Sequence, residues 1–211
     1  GQKSFSKLRA AIAGLYVRQG RYREAMQAYR EACLLYPASP EATFRYAQEC
    51  LLPFRRWDVT LEMMDYTDLI DPNNKRTANL RNYVVRIRRV TAEIERLEAK
   101  RRDPKQKLSD GETFDLASAY FETGRGSEAA GLIRPLIDRT NDAAALQAMA
   151  AIFLAERKDG DAEKCLNKYL KLNPSGDADS WAELAKIQHR TGRKQQAQQS
   201  FVMGYRINAQ A

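Results

Sequence analysis

The chain has 211 residues, 44% of them hydrophobic, and 35 Lys and Arg against 27 Asp and Glu give a formal net charge of +8. That is apolar material for one elongated domain or two small ones, with no run near the roughly 18–20 apolar residues of a membrane span and no charged-then-apolar secretory segment at the start. Cys33, Cys50 and Cys165 lack metal-ligand spacing and His189 is the single histidine, so neither a metal centre nor His-based acid–base chemistry is expected, and no cofactor is implied.

In chain order, the first element is a helical hairpin over 6–39. Its stretch GLYVRQGRYREAMQAYREACLLYP carries Tyr16, Gly20, Ala25, Tyr29, Ala32 and Pro37. A weaker copy fills 40–74, where the turn glycine is replaced within PFRRW and the small alanine is lost. From 76 to 101 the spacing of Leu80, Tyr83, Ile87, Val90, Ile94 and Leu97 predicts one long helix without a turn. Asp103, Pro104 and the LSDG sequence mark a linker over 102–109 and a fresh helix start.

Three more hairpins are expected at 110–143, 143–176 and 178–211. They repeat the first at the same offsets: Leu116, Tyr120, Gly124, Ala129 and Ile133; then Phe153, Ala162, Leu166 and Pro174; then Trp181, Leu184, Gly192, Ala197 and Phe201. Each recurring type has a physical reason. Glycine tolerates the positive φ of a tight turn, alanine lets two helices approach closely, the bulky residue four positions later fills the gap on the same face, and proline closes the second helix.

These residues, recurring with a period near 34, resemble the tetratricopeptide repeat. The resemblance implies an all-α fold, a right-handed superhelix of helical hairpins in two lobes joined by a long basic helix. The lobes are expected at 1–101 and 110–211, with the long helix capping the first by burying Ile87, Val90 and Ile94. A dimeric coiled coil is the competing reading of that stripe, and a monomer is favoured because barely three heptads are present.

Stacked hairpins of this kind bind partners on a groove lined by their first helices. By offset, Lys7, Ala10, Gly14, Phe44, Gln48, Leu51, Phe114, Ser118, Phe121, Gln147, Ala151 and Leu154 are expected there. The Lys, Asn and Arg set with which chaperone-binding members clamp a terminal carboxylate is missing. The expected partner is therefore a largely apolar peptide or helix, with Phe44, Phe114 and Phe121 either in the groove or padding between repeats. No nucleotide-binding glycine loop or GxSxG elbow occurs, so the chain reads as a protein-binding scaffold and not an enzyme.

Between residues 75 and 107 there are 12 Lys or Arg and 4 Asp or Glu, so this segment alone carries the chain's whole +8. Arg86, Arg88, Arg89, Arg96, Arg101 and Arg102 form its candidate basic surface. It reads as a solvated face, or as a contact for anionic lipid headgroups or acidic protein. Nucleic acid fits less well, because interleaved aromatics are missing.

A second likeness rests on FSKLRAAIAGLYVRQG followed by AYREACLLYPASPEATFRYAQ. These stretches are similar to the soluble C-terminal repeat region of bacterial polytopic membrane proteins that themselves resemble membrane glycosyltransferases. That likeness implies a regulatory soluble tail of a membrane enzyme, tethered to a bacterial membrane. The start at Gly1 instead of Met fits a piece of a longer bacterial protein. Whether Cys33 and Cys50 are bridged stays open.

Overall fold

The computed structural model describes residues 1–173 and 177–209; Pro174, read above as a closing residue, lies outside them. Among the described residues there are eleven α-helices and no strand. They pair as α1 (Gln2–Arg18) with α2 (Tyr22–Leu35), and α3 (Pro40–Tyr46) with α4 (Trp57–Ile70). The unpaired α5 (Lys75–Arg102) follows. Then come α6 (Asp110–Glu122) with α7 (Gly126–Ile133), α8 (Ala143–Ala155) with α9 (Asp159–Leu172), and α10 (Ala178–Arg190) with α11 (Lys194–Asn208). The five expected hairpins and the long helix are all present.

One turn design serves all five hairpins. A left-handed residue follows the first helix of each: Gly20, Arg55, Gly124, Arg157 and Gly192, with φ of 72°, 55°, 79°, 54° and 80°. The next N–H then reaches back five residues, Arg21 to Tyr16, Arg56 to Leu51, Arg125 to Tyr120, Lys158 to Phe153 and Arg193 to Gln188, at 2.8–3.1 Å. This bond satisfies a carbonyl that the helix end would otherwise leave without a partner. In two hairpins arginine thus adopts the conformation that glycine supplies in the other three. A left-handed non-glycine residue is disfavoured by roughly 1–2 kcal/mol, which the packing of the two helices offsets.

The small-residue crossing is equally general. Ala25, Ala129 and Ala162 are fully buried and Ala197 nearly so. In the second hairpin Thr60 takes the place, fully buried, its hydroxyl donating to the Arg56 carbonyl at 2.8 Å. The alanine is lost there, as the sequence indicated, and threonine fills the close-packing position. The first helix of that hairpin is the irregular one. After α3 the backbone widens into a π-helical turn (Ala47–Leu51) and tightens into a 3₁₀ turn (Leu52–Phe54), because Pro53 has no N–H to continue the helical ladder.

The chain forms two compact units, Gly1–Arg89 and Val90–Ala211, so the division falls inside α5 and not in the 102–109 linker. The first unit's core joins Ala13, Ala25, Tyr29, Ala47, Cys50 and Met64 to Leu80 and Val84 of α5. The second unit's core joins Leu116, Ile133, Leu146, Phe153, Cys165, Leu166 and Ile187 to Val90, Ile94 and Leu97 of the same helix. The expectation that α5 caps the first lobe is corrected accordingly. Its N-terminal half belongs to one core, its C-terminal half to the other, and Ile87 at the changeover is only half-buried. Tyr83, expected in the stripe, is 43% exposed while Val84 is buried in its stead. Val90, Ile94 and Leu97, the C-terminal part of the stripe, are taken up by packing within the second unit.

The charge of α5 has a structural use as well. In the first unit Arg81 pairs with Asp65 and Asp68 of α4, and Arg88 with Asp58 at 2.8 Å. In the second, Lys100 pairs with Glu112 at the start of α6 at 2.5 Å. Glu98 accepts from the Tyr120 hydroxyl at 2.7 Å and from Arg125 at 3.1 Å.

Candidate functional site

The second unit offers a well-formed surface on its first helices. α6 starts at a reciprocal cap in which Ser109 and Glu112 each accept the other's backbone N–H. Asp142 caps α8 by accepting from the Ala144 N–H at 2.9 Å. These starts hold α6 and α8 on either side of a cleft of about 530 Å³ whose apolar lining includes Phe114, Leu136, Ala145, Ala148 and Met149. Acidic groups stand at its mouth, Asp110 held by Arg139 at 3.0 Å and Asp142 by its capping role.

Beyond the cleft α8 stays uncharged, while α6 exposes Asp115 and Glu122. α8, AAALQAMAAIFLA, has 13 residues and no ionisable side chain, and it exposes Ala144, Gln147, Ala148, Ala151 and Ala155. Leu146, Met149 and Phe153 face the core. Methyl-sized side chains on the exposed face let another backbone come close. Of the residues expected in the groove, Phe114, Ser118 and Leu154 are half-buried and Phe121 is 37% exposed. Gln147 is exposed but engaged, donating to Asp177 at 2.8 Å.

The first unit departs from expectation. Phe44 and Leu51 are core residues, 6% and 4% exposed, and cannot present themselves to a ligand. Phe44 is sealed by the Arg76 guanidinium, 4.6 Å above its ring, and Leu51 is drawn inward where the π-helical turn closes. Ala10 and Gly14 are buried too; Lys7 and Gln48 are exposed. A polar group unforeseen in the sequence sits beside Gly14. Glu49 accepts from the Tyr29 hydroxyl at 2.6 Å and from Arg45 Nε at 2.9 Å. Burial, with the Glu49 carboxylate beside it, pushes the Tyr29 hydroxyl well above the ordinary tyrosine range. A Cβ added to Gly14 would overlap the Arg45 guanidinium, so glycine there makes room for this ion pair. The signal in the sequence was the i, i+4 spacing of Arg45 and Glu49.

The candidate basic surface is partly spent on local pairs. Arg88 is held by Asp58, Arg96 by Glu93 at 2.6 Å and Arg102 by Glu98 at 2.8 Å. Arg86 lies 6.0 Å from the Tyr83 ring, while Arg89 and Arg101 make no ion pair among the described residues. Cys33, Cys50 and Cys165 are free thiols; burial raises the first two to about 11 and Cys165 to about 12, which favours the protonated form at neutral pH. Among the described residues no group of three or more His, Cys, Asp or Glu is placed to hold a metal ion.

Helical hairpins with one turn geometry, a small residue at each crossing and a period near 34 define a helical-repeat fold. Residues 6–49 match the family model of the tetratricopeptide repeat. No curated protein matches it, so the likeness to membrane glycosyltransferase tails gains no support. Solved structures similar to it include MamA from Desulfovibrio magneticus RS-1 (13% identity, covering 100% of this chain and 97% of that one, TM-score 0.41). PilW, a type IV pilus biogenesis factor, shares 19% identity over 92% and 90% of the two chains, with a TM-score of 0.43. PilF of Pseudomonas aeruginosa shares 14% over 100% and 95%, with a TM-score of 0.44.

Proposed function

We propose that this chain is a non-catalytic protein-interaction scaffold that binds an apolar peptide or helix along α6 and α8 of its second unit. The observation that carries the reading is the uncharged, alanine-faced α8 beside the cleft at Phe114. An apolar segment can lie against α8 without desolvating an unpaired charge. Phe114 supplies an aromatic wall and Phe121 an exposed aromatic edge, the side-chain type that most often anchors an interface. Asp110 and Asp142 at the mouth favour a ligand whose flank is basic.

The test is selection of peptides from a display library against the whole chain. Selected peptides should be predominantly apolar and should lose at least tenfold in affinity to Ala148→Arg and to Ala151→Arg. Both positions are solvent-exposed, so the melting temperature should stay within a few degrees. Peptides that bind both variants unchanged would place the binding surface elsewhere and defeat the reading.

A further inference from the structure

The outer face of the last hairpin carries a second groove. Between α10 and α11 lies a cavity of about 540 Å³ with Ala182, Ala185, Ala197 and Phe201 as its floor. Lys186, His189, Arg190 and Lys194 stand around it, and no carboxylate lines it. Phe201 is 63% exposed. Its counterparts at the same repeat position, Tyr29, Met64, Ile133 and Leu166, are all buried, each beneath further packed helices.

The preceding hairpin, 35 residues earlier in register, shows how such a face is occupied. There Ala150, Ala162 and Leu166 are covered, and α10 packs against α9 with Leu184 and Ile187 in the shared core. Two ion pairs fix that joint. Arg190 donates to Asp159 at 2.7 and 3.0 Å, and Arg193 to both oxygens of Glu163 at 2.6 Å. The inner joint is thus an acidic ridge on α9 met by arginines from the incoming hairpin.

On the outer face the sign of this ridge is altered. Lys194 stands where α9 has Asp159, Gln198 where it has Glu163, and Lys186 where α8 has Ala151. Lys186 is in an exposed i, i+3 pair with Glu183 at 2.6 Å, and Arg190 is turned back to Asp159. Lys194 has no ion pair among the described residues. A helix bringing an arginine to this face, as α10 brings Arg190 to Asp159 of α9, would meet cations. A second copy docking through α1 would also meet them, since α1 carries Lys3, Lys7, Arg9 and Arg18 and no acidic residue.

We infer that the α10–α11 face docks an acidic amphipathic helix of a partner protein, seated on Ala182, Ala185, Ala197 and Phe201 with its carboxylates on Lys194 and Lys186. The apolar floor supplies contact area, and the charge pattern supplies orientation and selects against basic helices. This face is separate from the surface at α6 and α8.

The experiment uses two synthetic helical peptides built on residues 178–193, whose Trp181, Leu184 and Ile187 face already fits such a groove. One has Glu in place of both Arg190 and Arg193, the other keeps the arginines. Fluorescence anisotropy against the whole chain at low salt should show the glutamate peptide binding at least tenfold tighter. Its binding should fall with added salt and by tenfold or more with Lys194→Glu or Phe201→Asp. Lys194 is exposed at the first position of α11, where an acidic residue suits the helix dipole, so that variant should stay folded. Ala148→Arg should leave this binding unchanged, which separates failure here from failure at α6 and α8. Equal or tighter binding of the arginine peptide, no binding of either, or indifference to Lys194→Glu would overturn the inference. So would light scattering that shows a dimer dissociated by Phe201→Asp, because the occupant would then be a second copy.

Discussion

The two units use one hairpin template with different interiors. In the first, threonines share the core and an ion pair lies at its edge: Thr43 and Thr67 are buried and bonded to each other at 3.2 Å, and half-buried Glu49 ties Tyr29 to Arg45. In the second, the core is a run of aliphatic and aromatic side chains from Val90 to Ile187, and its buried polar side chains lie in the last hairpin, where Ser200 donates to Gln188 at 2.8 Å. The first unit accordingly needs specific partners for each buried polar group, and it carries the irregular π-helical turn. The second tolerates a helix with no charge at all, and that helix presents the candidate surface. The comparison teaches that the repeat conserves a geometry, a left-handed turn and a small crossing residue, while the filling is free to vary.

The strongest way to break this comparison is to attack α5, which contributes to both interiors. Leu97 is fully buried in the second core and Val84 in the first. Leu97→Ala should cost about 2–5 kcal/mol, and Val84→Ala less because fewer methyl groups are removed. Hydrogen exchange followed peptide by peptide should show faster opening chiefly in 90–173 for the first variant and in 1–89 for the second. Uniform loss across the chain in both variants would mean that the units do not have separate cores.

The shared turn can be sharpened by exchanging residue types. Gly124→Ala should destabilise by about 1 kcal/mol, because alanine is forced into the left-handed region. Arg157→Gly, at a φ of 54°, should do the opposite or be neutral, by up to about 1 kcal/mol. Chemical denaturation of the two variants checks the pair. A destabilising Arg157→Gly would show that the arginine side chain contributes more than its backbone strain costs.

The smallest effect is electrostatic and belongs to the second unit. The Lys100 ammonium, with the Ser109 N–H, lowers the Glu112 carboxyl from its ordinary value of 4.5 to about 2. The Tyr120 hydroxyl and Arg125 lower Glu98 as well. A carboxylate whose folded pKa is depressed adds stability that is present above its unfolded pKa and is lost as pH falls through the folded value. Melting temperature should therefore decline between about pH 4.5 and 2 through these groups, and Glu112→Gln should flatten part of that decline. An unchanged profile in the variant would remove Glu112 from the account.

Much of this protein was legible in the sequence because its signals are local. The glycines at 20, 124 and 192, the alanines at 25, 129, 162 and 197, the Ser109 cap and the uninterrupted stripe of α5 all act through neighbours within a few residues, so spacing alone reveals them. Tertiary structure decided what spacing cannot encode. Arg55 and Arg157 take left-handed turns because packed helices on both sides over-determine the backbone there. Phe44 and Leu51 went to the core because a π-helical turn and Arg76 redirect that stretch. The stripe of α5 was visible, but its division between two cores depends on which helices meet each half. Phe201 has the same repeat position as Leu166 and the opposite exposure, because burial is a property of what stacks on a residue and not of the residue itself.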